Sequence, residues 1–320
     1  MEVLLSFRTR QFLTALILAT LLCGDVSAQS TLTEQPVRGA ASITKRFVII
    51  ENLRAHYLET GSGRTVVMIH GNAGSIQDFE FAAIKILSSS YHVVAVDRPG
   101  HGASDRPSKK ATVEVQAELL HQTLSILGIT EPLLVGHSWG AALALAYALK
   151  YPNEVSGLIL LAPAAYPDES CCAPLATIER IPVIGDLSLT AGKLVAGHKM
   201  LRRGLVKAFY PQRLPNQYLK LVSSLWLGQK QLKSYIDDEA SLNESLRIMS
   251  KRYSEICVPV VIVTGDKDQI VSPTQNAYAL QRAIPQSKLI EIKNAGHEIP
   301  QTHPESIATA LRMLPPSTQN

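Results

Sequence analysis

The chain has 320 residues, of which 46% are hydrophobic and 18% are charged. This composition is typical of a globular protein and excludes a disordered one, and the length suits one large domain or two small ones. The formal net charge is only +4, and the basic residues form no run longer than pairs such as Arg202-Arg203. This charge distribution gives no support for a nucleic-acid partner.

The first 28 residues have the organisation of a signal peptide. Arg8 and Arg10 provide a positive region, residues 12–22 form an apolar run, and Val26-Ser27-Ala28 offers small residues where a signal peptidase cuts. The apolar run is shorter than the ~20 residues that span a bilayer. We therefore expect cleavage after Ala28 and export to the periplasm or the medium, whereas an uncleaved signal would keep the protein close to a membrane.

Cysteine use indicates neither a metal site nor a disulfide framework. Cys23 lies in the predicted signal, which leaves Cys171, Cys172 and Cys257. No Cys-x-x-Cys pair supports a zinc site or a thioredoxin-like site. Two interpretations of Cys171 and Cys172 stay open: a vicinal disulfide, which demands unusual local geometry, or two small packing residues.

After residues 29–45, a polar segment that we expect to be mobile, strands alternate with helices. Short apolar runs predict strands at 47–50, 53–58, 65–69, 92–96, 133–135, 157–161, 258–263 and 288–292. Helical periodicity lies at 78–87, 112–127, 141–149, 275–283 and 304–314. Strands that are apolar throughout need cover on both faces, so the pattern predicts a parallel sheet with helices on each side.

The alternation stops between residues 166 and 250. That segment has helical periodicity, for example at 201–209 and 219–227, and little strand character. The sequence therefore predicts one α/β core, formed by residues 46–165 and 251–316, with a helical lid inserted at 166–250.

The strongest motif, Gly136-His137-Ser138-Trp139-Gly140, lies between a predicted strand and a predicted helix. A serine at so sharp a turn takes a strained backbone conformation that exposes its hydroxyl above the sheet. The flanking positions must be small, because a side chain at Gly136 or Gly140 would collide with the neighbouring strand and helix. We therefore predict that Ser138 is a nucleophile.

A serine hydroxyl needs an adjacent base, and position in the chain selects His297 among the histidines. His297 follows the last predicted strand, where a loop would rise over the carboxyl edge of the sheet. His137 adjoins the nucleophile and is expected to point away from it, and His70 and His101 lie in turns. Surface or packing positions are expected for the remaining histidines, which are His56, His92, His121, His198 and His303.

The base in turn needs a carboxylate that holds its correct tautomer. Asp266 and Asp268 both follow the strand predicted at 258–263, and either completes a Ser…Asp…His order. We favour Asp268, because Asp266 sits in a Gly-Asp turn that its carboxylate would cap. The stretch 162–166 after the preceding strand contains no acid, which excludes the other known placement.

The oxyanion of an acyl-transfer reaction needs two fixed hydrogen-bond donors. One candidate is the backbone amide of Trp139, at the start of the predicted helix. The other is the backbone amide of Asn72, in the loop after the strand at 65–69. Gly71 and Gly74 would let that loop approach a substrate closely.

These motifs, in this order, resemble the α/β-hydrolase superfamily over nearly all of residues 47–314. The resemblance is carried by the oxyanion loop at 70–72, the segment 97–104, the elbow at 136–140 and the sequences Gly265-Asp266-Lys267-Asp268 and Gly296-His297. It implies an α/β fold whose eight-stranded, mostly parallel sheet has helices on both faces and a helical lid insertion. It also implies a small-molecule substrate, with no metal and no organic cofactor.

Within the superfamily, Asn72 and Trp139 stand where side chains bind halide in haloalkane dehalogenases. Those enzymes and the epoxide hydrolases use an aspartate nucleophile, and Ser138 departs from that pattern. The elbow also resembles those of proline iminopeptidases, lipases, esterases and C–C bond hydrolases, although the Gly-Gly-Pro-Gly loop of the iminopeptidases is missing. We expect an esterase- or lipase-like serine hydrolase that cleaves a carboxylic ester or related acyl substrate through an acyl-enzyme.

Two alternatives of other kinds stay open. An acyltransferase would share the nucleophile and differ only in the acceptor of the acyl group. A non-catalytic binding protein of the same fold predicts a broken triad, whereas Ser138, Asp268 and His297 are all present.

Overall fold

The computed structural model describes residues 43–108, 110–168, 198–226 and 228–316. The predicted signal peptide, Cys171, Cys172 and residues 169–197 of the predicted lid lie outside the described residues. Cys257 is a free, exposed thiol. Among the described residues, no helix has both the length and the apolar character needed to cross a membrane.

Eight strands form one sheet that is mostly parallel, which confirms the predicted fold class. In chain order they are β1 (Thr44–Ile50), β2 (Leu53–Thr60), β3 (Thr65–Ile69), β4 (His92–Val96), β5 (Leu133–His137), β6 (Gly157–Leu161), β7 (Val260–Gly265) and β8 (Lys288–Ile292). Their order across the sheet is β1-β2-β4-β3-β5-β6-β7-β8. β2 pairs antiparallel with both β1 and β4, and the other pairs are parallel, so β3 to β8 all end at one edge.

Most strand bounds agree closely with the predictions, and two differences have a physical reason. Thr44 and Lys45, in the segment expected to be mobile, begin β1 because they pair with Glu59 and Leu58. β5 continues to His137, two residues beyond the predicted end, because His137 pairs with Leu161 of the neighbouring strand β6.

The helices of the described residues cover both faces of the sheet. They are α1 (Gln77–Glu80), α2 (Ala83–Leu87), α3 (Val113–Ile126), α4 (Trp139–Lys150), α5 (His198–Phe209), α6 (Asn216–Trp226), α7 (Gln229–Met249), α8 (Ala277–Ala283), α9 (Ile299–Thr302) and α10 (Glu305–Met313). β3 shows how the alternation of a strand divides the core. Val67 and Ile69 pack with the α3 and α4 side, whereas Val66 and Met68 pack with the side of α1, α2 and α10.

Helices α5, α6 and α7 lie between β6 and β7 along the chain, and we call residues 198–249 the helical insertion. Its own apolar cluster includes Leu201, Phe209 and Trp226. The last turns of α7 contribute Leu246 and Met249 to the main core instead. The insertion is therefore anchored to the α/β core through α7.

Candidate active site

Ser138 stands at a sharp turn between β5 and α4. Its φ of 53° and ψ of −116° are strained for a residue with a side chain. The Ser138 amide donates to the Leu161 carbonyl at 2.9 Å, and the Ala164 amide donates to the Ser138 carbonyl at 3.2 Å. These bonds from the end of β6 hold the strained backbone in place.

The glycines on either side of Ser138 are required by close packing. A Cβ atom added at Gly136 would lie 2.4 Å from the Gly140 carbonyl oxygen, and one added at Gly140 would lie 2.3 Å from the Ile69 carbonyl oxygen. Both distances are far below van der Waals contact. The turn can therefore form only with glycine at both positions, as the motif predicts.

His297 and Asp268 are brought together by the loops after β8 and β7. His297 Nδ1 donates to Asp268 Oδ2 at 2.8 Å. Asp268 Oδ1 accepts from the backbone amides of Ile270 at 2.8 Å and Val271 at 2.9 Å, which fixes the carboxylate. Of the two aspartates considered from the sequence, Asp268 is the one in contact with the histidine.

Asp266 has different surroundings. Its Oδ2 lies 3.7 Å from Lys267 Nζ, and its Oδ1 is buried with no hydrogen-bond partner in the described part of the chain. The turn-capping bond expected for its carboxylate does not form among the described residues.

The tautomer and the basicity of His297 both follow from Asp268. With the proton on Nδ1 bonded to Asp268, Nε2 has its lone pair free to accept a proton. Burial opposes a charged imidazole, but the charge and the hydrogen bond of Asp268, with smaller contributions from Glu298 and Glu239, outweigh it. Together they raise the pKa of His297 above its ordinary value.

Ser138 lies where two cavities meet. The larger cavity, of about 320 Å³, is lined by Ser138, His297, the 71–74 loop and the helical insertion. The smaller cavity, of about 160 Å³, is lined by Ser138, Trp139 and α7. Within the described residues no hydrogen bond reaches the Ser138 hydroxyl.

Two backbone amides are available beside Ser138. Trp139 is the first residue of α4, so its amide has no partner within the helix and lies at the positive end of the helix dipole. The Asn72 amide makes no hydrogen bond to any described residue. A Cβ atom added at Gly71 would lie 3.2 Å from Ser138 Cβ, so the loop that carries Asn72 passes directly beside the serine.

The side chains of Asn72 and Trp139 are committed to other contacts. Asn72 Nδ2 donates to Glu239 Oε1 at 2.7 Å and to the Tyr235 carbonyl at 3.1 Å. The Trp139 ring stacks under the Arg98 guanidinium, 3.9 Å from the ring centroid, and its indole N–H points at the backbone of α7. These two donors therefore do not form a halide site.

Sequence reasoning missed a buried ionic network that joins α7 to the oxyanion loop. Arg98 and Asp238 are both almost fully buried, and Arg98 Nη1 donates to Asp238 Oδ2 at 2.8 Å. His101 Nε2 donates to the same oxygen at 2.9 Å, and Arg98 Nη2 donates to the Gly71 carbonyl at 3.2 Å. The only signal was the charged and histidine-containing turn after β4, whose partner lies about 140 residues away.

The role of His137 was also missed, since the sequence predicted only that its side chain points away from Ser138. Its Nε2 donates to the His297 carbonyl at 3.0 Å, and burial lowers the pKa of His137 to about 3, so the ring stays neutral. On the other side, the His297 amide donates to the Ala208 carbonyl of α5 at 3.0 Å. The loop that carries His297 is thus held by both the sheet and the helical insertion.

Known proteins resemble this chain over most of its length. It is 27% identical to Lipase 1 of Psychrobacter immobilis, over 75% of this chain and 74% of that protein. It is also 27% identical to 2-hydroxy-6-oxononadienedioate/2-hydroxy-6-oxononatrienedioate hydrolase 2 of Pseudomonas putida, over 79% of this chain and 88% of that protein. The crystal structure of an alpha/beta hydrolase fold protein from Burkholderia ambifaria superposes with a TM-score of 0.73 at 24% identity, covering 83% of this chain and 96% of that one.

The sequence profile of the alpha/beta hydrolase fold matches residues 64–304, which include the elbow, both candidate aspartates and His297. The sheet order and the strained serine turn agree with that assignment. This chain is a member of the α/β hydrolase fold family.

Proposed function

We propose that this protein is an exported serine hydrolase that cleaves a carboxylic ester through an acyl-enzyme on Ser138. The observation that carries the proposal is the bond between His297 Nδ1 and Asp268 in a cavity that Ser138 also lines. It leaves a basic Nε2 in the same cavity as the Ser138 hydroxyl, which makes no hydrogen bond to any described residue. The signal-peptide pattern of residues 1–28 supports export.

The reaction proceeds in two acyl-transfer steps. Ser138 Oγ attacks the ester carbonyl carbon while His297 Nε2 takes the hydroxyl proton, and the amides of Trp139 and Asn72 stabilise the oxyanion. The bond from the carbonyl carbon to the alcohol oxygen then breaks, and His297 gives its proton to the leaving alcohol. Water repeats the sequence on the acyl-enzyme, which releases the acid and regenerates Ser138.

The two cavities that meet at Ser138 suit an ester, because its two halves diverge from the carbonyl carbon. One half would occupy the larger cavity and the other the smaller. The helical insertion lines the larger cavity and would set which substrates fit. Lipase 1 of Psychrobacter immobilis is named for ester hydrolysis, which supports the same reaction class.

Cleavage of a C–C bond is less well supported. The relative from Pseudomonas putida is named for the hydrolysis of a dioate, which carries two negative charges. Here three acidic side chains, Asp78, Glu239 and Glu298, line the larger cavity, and no lysine or arginine of the described residues lines it to pair with such a substrate.

The experiment that tests the proposal is hydrolysis of p-nitrophenyl esters of increasing acyl length by the mature protein. We expect turnover that both Ser138→Ala and His297→Ala remove. His303→Ala is the matched control, since His303 lies nearby in the chain and outside the cavity lining, and it should keep wild-type activity. Turnover that persists in a folded Ser138→Ala variant would contradict the proposal. Transfer of the acyl group to an added alcohol in preference to water would instead identify an acyltransferase.

A further inference from the structure

The larger cavity contains three carboxyl groups that take no direct part in the hydrolytic mechanism, although Glu239 and Glu298 contribute to the raised pKa of His297. Asp78 on α1, Glu239 on α7 and Glu298 beside His297 all line it, so three separate parts of the chain contribute one acid each. Because Ser138 and His297 line the same cavity, part of the substrate enters this space if the proposed function holds. A role for these acids in substrate binding therefore rests on the proposed function.

None of the three carboxyl groups bonds a lysine or an arginine in the part of the chain that the structure describes. Glu239 Oε1 accepts from the Asn72 amide group at 2.7 Å, and Asp78 Oδ1 accepts from the Tyr218 hydroxyl at 3.0 Å. No hydrogen bond of the described residues reaches the Glu298 carboxyl. Three mostly buried acids thus share one cavity with neutral partners or none.

Asp238, next to Glu239 on α7, shows how the same fold treats a buried acid with a structural role. Burial opposes its charge, but Arg98 and His101 outweigh that effect and lower the pKa of Asp238. Burial instead raises the pKa of Asp78 to about 8, and it also raises the pKa of Glu239 and of Glu298. Since a buried acid with no lysine or arginine beside it is costly, three of them in one cavity of the described chain point to a ligand that supplies positive charge.

The rest of the lining suits a cation. Among the described residues no lysine or arginine lines the larger cavity, whereas the rings of Tyr218, Trp226 and Tyr235 do. Aromatic faces attract alkylammonium groups, and quaternary ammonium ligands are bound in this way. An anionic group would meet three carboxyl groups and, among the described lining residues, no lysine or arginine.

We propose that the larger cavity binds an alkylammonium or quaternary ammonium group of the substrate, held by Asp78, Glu239 and Glu298 and by the neighbouring aromatic rings. The ester carbonyl then lies at Ser138, and the other half of the substrate occupies the smaller cavity. Of the three acids, Glu239 alone also lines the smaller cavity. It is therefore the acid nearest to the point where the two halves of the substrate join.

The test compares choline with 3,3-dimethylbutan-1-ol, an uncharged molecule of nearly the same shape, as competitive inhibitors of p-nitrophenyl butyrate hydrolysis. This comparison works whichever half of the ester carries the cation. We expect the inhibition constant of choline to be lower by about tenfold or more. In Glu239→Gln and Glu298→Gln the ratio of the two constants should fall toward one.

Glu244→Gln is the control, because Glu244 is an exposed acid on the same helix with 71% of its side chain accessible. It should keep the wild-type ratio. Thermal unfolding identifies any variant that does not fold, and the two glutamine variants test the site independently of each other.

Equal inhibition by the two compounds, in a protein that still hydrolyses the ester, would overturn the cationic site and leave the hydrolase function standing. Loss of the preference for choline in Glu244→Gln would also overturn it. If the wild-type protein hydrolyses no ester, the proposed function fails by itself. Calorimetric titration of choline and of the uncharged alcohol then makes the same comparison without turnover, and stronger binding of choline is the expected result.

Discussion

Replacing Asp268 with asparagine converts one carboxylate oxygen of the side chain that orients His297 into an NH₂ group and leaves the size of that side chain unchanged. Asp268 Oδ1 accepts two backbone amides, from Ile270 and Val271, so the amide oxygen of asparagine would keep that position. The new NH₂ group would then face His297 Nδ1, where Oδ2 now accepts at 2.8 Å. Two donors cannot bond each other, so His297 would place its proton on Nε2 and present its lone pair at Nδ1.

That tautomer cannot take a proton from Ser138. A serine protease with the same change loses about 10⁴ in kcat while its geometry stays intact, and we expect a loss of this order here. The measurement is kcat for a p-nitrophenyl ester in Asp268→Asn, with urea unfolding as the check on the fold. Asp266→Asn is the matched control, because Asp266 does not contact His297, and we expect it to stay within about tenfold of wild type. Equal losses in the two folded variants would refute the assignment of Asp268.

Two further predictions concern protonation and stability. Since His297 must be neutral to act as a base and its pKa is raised, kcat/KM should fall as the pH falls through that raised pKa. Its half-maximal value should lie above pH 6.5, the ordinary pKa of histidine, and a midpoint below 6.5 in a pH profile would contradict this. Asp238→Ala should lower the free energy of unfolding by about 3–5 kcal/mol, because it leaves Arg98 buried and unpaired. The control is Asp237→Ala, which removes a half-exposed partner of Arg106 and should lower the free energy of unfolding by about 1 kcal/mol or less, measured by urea unfolding. Equal losses in Asp238→Ala and Asp237→Ala would mean that the buried network does not stabilise the fold.

The parts of the fold that depend on local pattern were predictable from the sequence. The strands β3, β4 and β6 begin and end at the predicted residues, because a strand buried on both faces is apolar almost throughout. Ser138 was predictable for a similar reason, since its strand, turn and helix are contiguous in the sequence. Gly136 is required by a contact with Gly140 within that unit, whereas Gly140 is required by a contact with the end of β3.

The parts of the fold and the site that depend on distant contacts were not predictable from the sequence. Arg98 and His101 follow a strand as ordinary turn residues, and only α7, about 140 residues later, supplies the carboxylate that explains their burial. Glu239 and Glu298 look like surface acids in the sequence, because nothing nearby in the chain shows that the helical insertion, which carries Glu239, packs against the loop that carries Glu298. The sequence favoured Asp268 over Asp266, but on the basis of a turn-capping bond of Asp266 that does not form among the described residues; the contact between Asp268 and the His297 ring depends on two distant loops.

The proposed mechanism depends on Ser138 being an activated nucleophile, and covalent labelling with a fluorophosphonate probe measures that property. The mature protein would be incubated with the probe, digested, and examined by mass spectrometry, with Ser138→Ala treated in parallel. We expect a single phosphonylated peptide that contains Ser138 and no labelling of the variant. A folded wild-type protein that takes up no probe, or a variant that is labelled as fast as wild type, would show that Ser138 is not the nucleophile.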